Sequence, residues 1–217
     1  MKQTLTINEI FYSIEGEGKR AGTPCVFVRT CGCNLMCYYC DTQYAQKLEQ
    51  GTNLSIEEIV TQISQFNCDK VTLTGGEPLL QPNISLLIGA LMQRGYEVNI
   101  ETNGSLPLSP FRYDGKLFYT MDWKTAASGC TKFMHRENVL YIQKEDVLKF
   151  VVGSKEGLEE AKEIIQCLPV LPHIYISSIH GMHIETEIVD FIKQHNLPAK
   201  MQVQLHKIVW GAEARGV

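Results

Sequence analysis

The sequence predicts an α/β fold, an incomplete, open (β/α) barrel of about six parallel strands, in a single domain over residues 1–217. Three observations predict it. Short apolar runs alternate with amphipathic segments along the chain, the pattern of strand–helix units joined by right-handed crossovers. The chain has 217 residues, whereas a complete eight-fold barrel takes about 250. Polar and glycine-rich runs follow the predicted strands, at the end where parallel α/β folds bind ligands.

The candidate strands are Cys25–Thr30, Val71–Thr74, Glu97–Glu101, Leu117–Asp122, Val147–Val152 and His173–Ser177. Their near-continuous apolar character suits strands buried on both faces. Four helices are marked between them. The first opens on Ser55-Ile56-Glu57-Glu58, a capping box, and carries Ile56, Ile59, Val60, Ile63 and Phe66 at helical spacing. The second carries Ile84, Leu87, Ile88 and Leu91 and stops at Gly95, a residue free to take the left-handed conformation that ends helices. The third carries Leu158, Ala161, Ile164 and Ile165; the fourth carries Ile184, Ile188, Val189 and Ile192 and ends near Asn196-Leu197-Pro198. These stripes are core faces. No long amphipathic segment follows the strands at 97–101 and 117–122, so two crossovers should be short or irregular.

Composition excludes several classes. The chain is 44% hydrophobic and 20% charged with a net charge of −4, an ordinary globular balance. No run approaches eighteen apolar residues, so no membrane span is expected. Without basic blocks there is no electrostatic footprint for nucleic acid. The start, Met1-Lys2-Gln3-Thr4-Leu5, has no export-signal pattern, and the expected location is the cytoplasm, with reduced cysteines.

The chemistry is concentrated in Cys33-Asn34-Leu35-Met36-Cys37-Tyr38-Tyr39-Cys40, a C-x3-C-x2-C run directly after the first strand. Three thiolates on one short loop can hold three irons of a 4Fe–4S cube and leave the fourth open to a small molecule. Zinc is the alternative. Cys31 could complete four ligands, but structural zinc sites usually pair C-x2-C knuckles from two loops, and no second knuckle exists. Cys25, Cys68, Cys130 and Cys167 stand singly and read as small apolar residues.

The other polar runs are Thr74-Gly75-Gly76-Glu77-Pro78, Glu101-Thr102-Asn103-Gly104, Asp122-Trp123-Lys124 and Ser177-Ser178-Ile179-His180-Gly181. Gly75 and Gly76 lack a Cβ, so backbone can approach a ligand there. Glu101 and Asn103 can pair with ribose hydroxyls, and Asp122 and Lys124 with the charged end of an amino-acid ligand. Taken singly, each glycine pair reads as a turn and each charge as a solvated strand end.

Together these residues resemble the radical S-adenosylmethionine (SAM) superfamily. The cysteine run with Tyr39 before its last cysteine, and Gly75-Gly76-Glu77-Pro78, carry that likeness. Glu9–Gly18, Phe27-Val28-Arg29, Cys40-Asp41-Thr42, Glu101–Gly104 and Gln202–Lys207 narrow it, across nearly the whole chain, to the 7-carboxy-7-deazaguanine synthase family. The chain departs from the family pattern at Glu15, commonly Gln, and at Ser177-Ser178, commonly Ser-Pro.

The resemblance implies a partial barrel and a reaction. SAM, cleaved at a cluster held by Cys33, Cys37 and Cys40, yields a 5′-deoxyadenosyl radical. The radical takes hydrogen from C6 of 6-carboxy-5,6,7,8-tetrahydropterin, which contracts to 7-carboxy-7-deazaguanine with loss of ammonia, and SAM is regenerated. The implied SAM contacts are Tyr39, Gly76, Glu77, Glu101, Asn103, Asp122, Trp123, Lys124 and Ser177. The implied substrate contacts are Ile14, Glu15, Gly16, Glu17, Arg29 and Thr74. Thr42 is an implied Mg2+ ligand, and a hydroxyl oxygen suits that hard cation. A reductant such as flavodoxin or ferredoxin and a homodimeric state are implied too. His206 and Lys207 lie where the C-terminus could cover the open barrel; apart from the resemblance they read as surface residues.

Overall fold

The computed structural model describes residues 3–108 and 116–217. They form one nine-stranded open sheet: β1 (Thr4–Ile14), β2 (Pro24–Thr30), β3 (Thr52–Ser55), β4 (Lys70–Gly75), β5 (Glu97–Thr102), β6 (Leu117–Trp123), β7 (Val147–Val152), β8 (His173–Ser178) and β9 (Lys200–Met201). The order is β3-β1-β2-β4-β5-β6-β7-β8-β9, and the sheet does not close into a barrel. β2 and β4 to β9 run parallel, while β1 pairs antiparallel with both β2 and β3. All six expected strands are present within a residue or two. β1 was absent from the expected elements although it is the longest strand: Thr4–Ile14 mixes polar and apolar residues without a continuous apolar run.

The helices are α1 (Ile56–Ser64), α2 (Ile84–Gln93), α3 (Asn138–Tyr141), α4 (Lys155–Gln166), α5 (Glu185–His195) and α6 (Leu205–Trp210). Ser55 caps α1 as its sequence predicts, its hydroxyl accepting from Glu58 N while the Glu58 carboxylate accepts from Ser55 N. Gly95 follows α2 at φ 84, and Asn196 ends α5 at φ 47. The connection from β6 to β7 holds only α3 and short 3-10 turns, as expected; the one from β5 to β6 lies partly outside the described residues. No described helix is long and apolar enough to cross a membrane.

The six expected strands are mostly buried on both faces, as expected, but only one face is uniformly apolar. Val26 and Val28, Val71 and Leu73, Val98 and Ile100, Tyr119, Met121 and Trp123, Leu148 and Phe150, Ile174 and Ile176 pack with helical Ile59, Ile63, Leu87, Leu91, Leu158, Ala161, Ile188 and Phe191 in one core. The residues between them belong to the other face. There lie Thr72 and Thr74, Asn99 and Glu101, Thr120 and Asp122, Lys149, and Ser177, which are mostly buried polar groups. Side chains alternate along a strand, so one face covers the helices and the other builds a polar cleft. Toward its floor Phe118, Val147 and Tyr175 form a small apolar cluster.

The C-terminal segment after β9 docks on the loop that follows β1. Gln202 accepts from Gly18 N (2.7 Å) and donates to Gly18 O (3.1 Å), and Leu205 N donates to Gly16 O (3.0 Å). Thus residues 16–18 and the start of α6 are joined directly. Lys207, buried by its neighbours, pairs with Asp41 at 2.8 Å.

Candidate active site

The cysteine loop leaves the end of β2 and is held by backbone. Gly32 N donates to Ala45 O, Cys33 N to Gln46 O, Cys40 N to Cys37 O and Tyr38 N to Ser128 O. Asn103 ties it to β5: Nδ2 lies 3.2 Å from Asn34 Oδ1 and 3.7 Å from Cys33 Sγ. The three thiols share this loop. Among the described residues, however, no three His, Cys, Asp or Glu side chains are gathered tightly enough to hold a metal ion, and the Cys130 thiol lies near Cys37. Burial pushes the Cys37 thiol up to about 12 despite the nearby Lys124 ammonium, so a metal must displace a proton there. Cys31 is buried against Gly51 and Asn8, which removes it as the fourth ligand of an all-thiolate zinc site.

The turn after β4 presses on this loop. Gly75 has φ 133, a conformation open to glycine, and a Cβ there would overlap the Thr30 backbone. A Cβ on Gly76 would overlap the Gly32 carbonyl. These glycines therefore admit backbone to backbone, at the base of the cysteine loop. Gly76→Ala is expected to strain the two turns by about 1–3 kcal/mol, since neither wall can yield. Iron retained after reconstitution should fall well below wild type. Full iron content with unchanged urea unfolding would remove this role.

Glu77 is fully buried. Its carboxylate accepts from Leu79 N (3.0 Å), Thr102 Oγ1 (2.9 Å) and Asn103 N (2.7 Å), and burial pushes it up to about 7 against those bonds. Its side chain thus serves to fix Asn103. Trp123 was also expected against SAM. Strand alternation turns its ring into the helix-side core, 3% exposed, while Asp122 faces the cleft. Glu15, expected against substrate, is 2% exposed and locked to Arg20: Arg20 donates to Glu15 Oε1 (2.7 Å) and to Thr72 Oγ1 (2.7 Å), and Thr72 donates to Glu15.

The remaining expected residues converge on the cleft. Thr74 donates to Glu101 Oε2 at 2.6 Å, and burial, with the nearby Glu15 charge, pushes Glu101 up to about 7. Arg29 Nε donates to Glu9 Oε1 at 2.7 Å. Lys124 pairs with Asp122 Oδ2 at 3.1 Å and lies 5.6 Å from the Tyr39 ring centre. Thr42 donates to Asp41 Oδ1 at 3.0 Å. Ile14 ends β1 and Gly16 lies under the His206 ring. Sequence reasoning missed Lys149. It bridges Glu17 Oε2 (3.0 Å) and Asp122 Oδ2 (3.4 Å), and the available signal was one lysine inside the apolar run Val147–Val152. Gln204, which donates to Glu17 at 3.3 Å, was expected only as part of a motif.

Four of these residues hold buried polar atoms without a partner: Glu17 Oε1, Tyr39 OH, Asp122 Oδ1 and Ser177 Oγ. Buried polar groups are mostly paired; Ser13 Oγ, Arg20 Nε and Thr131 Oγ1 are also unpartnered, but the four above are site residues, where a polar ligand would supply the missing partner. They suit the hydroxyls and amino group of SAM and the N–H groups of a heterocycle. The three-thiol donor set suits an iron–sulfur cube with one open iron.

Comparison with known proteins agrees with this geometry. Residues 27–117 match the radical SAM superfamily. The crystal structure of QueE from Escherichia coli superposes with a TM-score of 0.76, covering 92% of this chain and 94% of that one at 22% identity, a likeness of fold. The 7-carboxy-7-deazaguanine synthase of Chlorobaculum tepidum is 38% identical over 98% of this chain and 97% of its own. That of Clostridium acetobutylicum is 42% identical over 96% of this chain and 97% of its own. Identity at that level along both whole lengths is a statement of descent, and the chain belongs to the 7-carboxy-7-deazaguanine synthase family of the radical SAM superfamily.

Proposed function

We propose that this chain converts 6-carboxy-5,6,7,8-tetrahydropterin to 7-carboxy-7-deazaguanine with loss of ammonia, for queuosine or another deazapurine. The observation that carries this reading is the 42% identity to a synthase of that name across both chains. A 4Fe–4S cluster and SAM supply the radical chemistry when bound.

The chain's own residues bind and orient. Cys33, Cys37 and Cys40 hold three irons, and Asn103, fixed by Glu77, supports the Cys33 side of the loop. Tyr39, Asp122 and Ser177 offer their free atoms to SAM, with the Gly76 backbone and Lys124 beside them. Glu17, Thr74 and Glu101 offer polar groups to the pterin. Arg29 has guanidinium nitrogens beyond the one bound to Glu9, a planar fork suited to a carboxylate. Glu15, from its buried pair, sets the charge under the pterin rather than touching it at an open surface. The loop at 16–18 and α6 shield the cleft from water.

Mg2+ is a further proposed cofactor, with the Thr42 hydroxyl as ligand. The chain is proposed to act as one radical SAM domain over residues 1–217, as a homodimer in the cytoplasm, reduced by a flavodoxin or ferredoxin.

The test is anaerobic turnover of the reconstituted, reduced protein with SAM, Mg2+ and the pterin, read by mass spectrometry. 7-Carboxy-7-deazaguanine is the expected product. If 5′-deoxyadenosine forms without it, the substrate assignment is wrong. In the same assay Thr42→Ala should lose most of its response to added Mg2+ at full iron content; an unchanged response would take Thr42 out of the metal site.

A further inference from the structure

Lys149 is the charged residue of β7, Val147-Leu148-Lys149-Phe150-Val151-Val152. Its side chain is 13% exposed, and the ammonium lies 3.0 Å from Glu17 Oε2 and 3.4 Å from Asp122 Oδ2. The two carboxylates come from opposite walls. Glu17 stands in the loop after β1, clamped by the C-terminal segment, and Asp122 pairs in register with Lys149 on the adjacent strand β6.

The donors around them are one-sided. Lys149 and Gln204 both meet Glu17 at Oε2. Lys149 and Lys124 both meet Asp122 at Oδ2. The other oxygen of each, Glu17 Oε1 and Asp122 Oδ1, is buried without a partner. A buried acceptor left unpaired costs about 1–3 kcal/mol, and two flanking one ammonium are hard to account for as packing alone. Two carboxylates that share a cation are fixed in distance as well as direction, because neither can turn without losing its ion pair.

We propose that Lys149 is a positioning residue for both ligands: it anchors one oxygen of Glu17 and of Asp122, and so presents Glu17 Oε1 to N–H donors of the heterocyclic substrate and Asp122 Oδ1 to hydroxyl or amino donors of SAM. This rests on the function proposed above. The ammonium also carries the charge balance of the cleft, for burial opposes it while Glu17, Asp122 and Glu101 hold it well above the ordinary lysine value. It remains a cation throughout and acts through the carboxylates.

The experiment compares wild type, Lys149→Met and Lys149→Arg as reconstituted holoenzymes of matched iron content. Anaerobic equilibrium dialysis measures SAM binding, and then pterin binding to the SAM-loaded protein. Lys149→Met is expected to weaken both by about tenfold to a hundredfold, the loss of a charged hydrogen bond at each carboxylate. Lys149→Arg, whose planar fork can still reach two carboxylates, should recover most of both. Urea unfolding of each variant separates binding from folding. If Lys149→Met binds both ligands within about twofold of wild type, or weakens only one, the bridging role is overturned. If both variants lose binding only in proportion to lost stability, Lys149 is structural and the proposal falls. If wild type binds SAM but not the pterin, the substrate reading fails, and Lys149→Met binding SAM as well as wild type does would then overturn the SAM half by itself.

Discussion

Replacing Cys33, Cys37 or Cys40 by alanine is expected to abolish SAM cleavage, with 5′-deoxyadenosine falling to the no-enzyme background and iron to a small fraction of wild type. A cube with one open iron needs a thiolate on each of the other three, and the loop has no spare. Cys31 is buried on the far side against Gly51. Cys130, 3% exposed, lies near Cys37, so Cys130→Ser is the informative control. It should keep its iron and its activity. Loss of iron in Cys130→Ser, or full turnover in any of the three alanine variants, would overturn this ligand set. Iron analysis and anaerobic mass spectrometry decide between these outcomes.

Arg20→Met is expected to lower stability by about 3–5 kcal/mol, the usual cost of stranding one member of a buried ion pair. Arg20 is 7% exposed and Glu15 2%. Without the guanidinium the Glu15 carboxylate keeps the Thr72 hydroxyl and a distant Asn99 amide at 3.5 Å, too little for a buried charge. Arg20→Met combined with Glu15→Gln removes both charges and should recover most of the loss, because an uncharged pair needs no counterion. Urea unfolding of the metal-free protein measures all three. A loss under about 1 kcal/mol in the single variant, or no recovery in the double, would show that the pair is solvated. The same variants bear on the site. Glu15 lies within electrostatic reach of Glu101, so the double variant replaces an ion pair beneath the proposed pterin position by neutral groups at unchanged net charge.

The sequence by itself determined the six central parallel strands, the four main helices and the cluster loop, but not β1, β3 or β9. Six parallel strands and four helices fell where runs of Val, Ile and Leu and capped amphipathic stripes placed them, because period and capping are local properties. The spacing of Cys33, Cys37 and Cys40 is likewise local, since eight consecutive residues on a loop cannot stray far apart. Tertiary structure alone decided which face of each strand is the cleft. The run Leu117–Trp123 reads as buried throughout, yet alternation turns Asp122 inward and Trp123 into the helix-side core. It also decided partnership. Glu77 is consumed by Asn103, Leu79 and Thr102, and Glu15 by Arg20. Lys149, unremarkable in sequence, is drawn between Glu17 and Asp122 from residues 132 positions away and 27 positions away in the chain. Contacts of that kind depend on strand register and on chain closure by the C-terminal segment. A carboxylate's role follows from whether its oxygens are already bonded, which only the folded chain specifies.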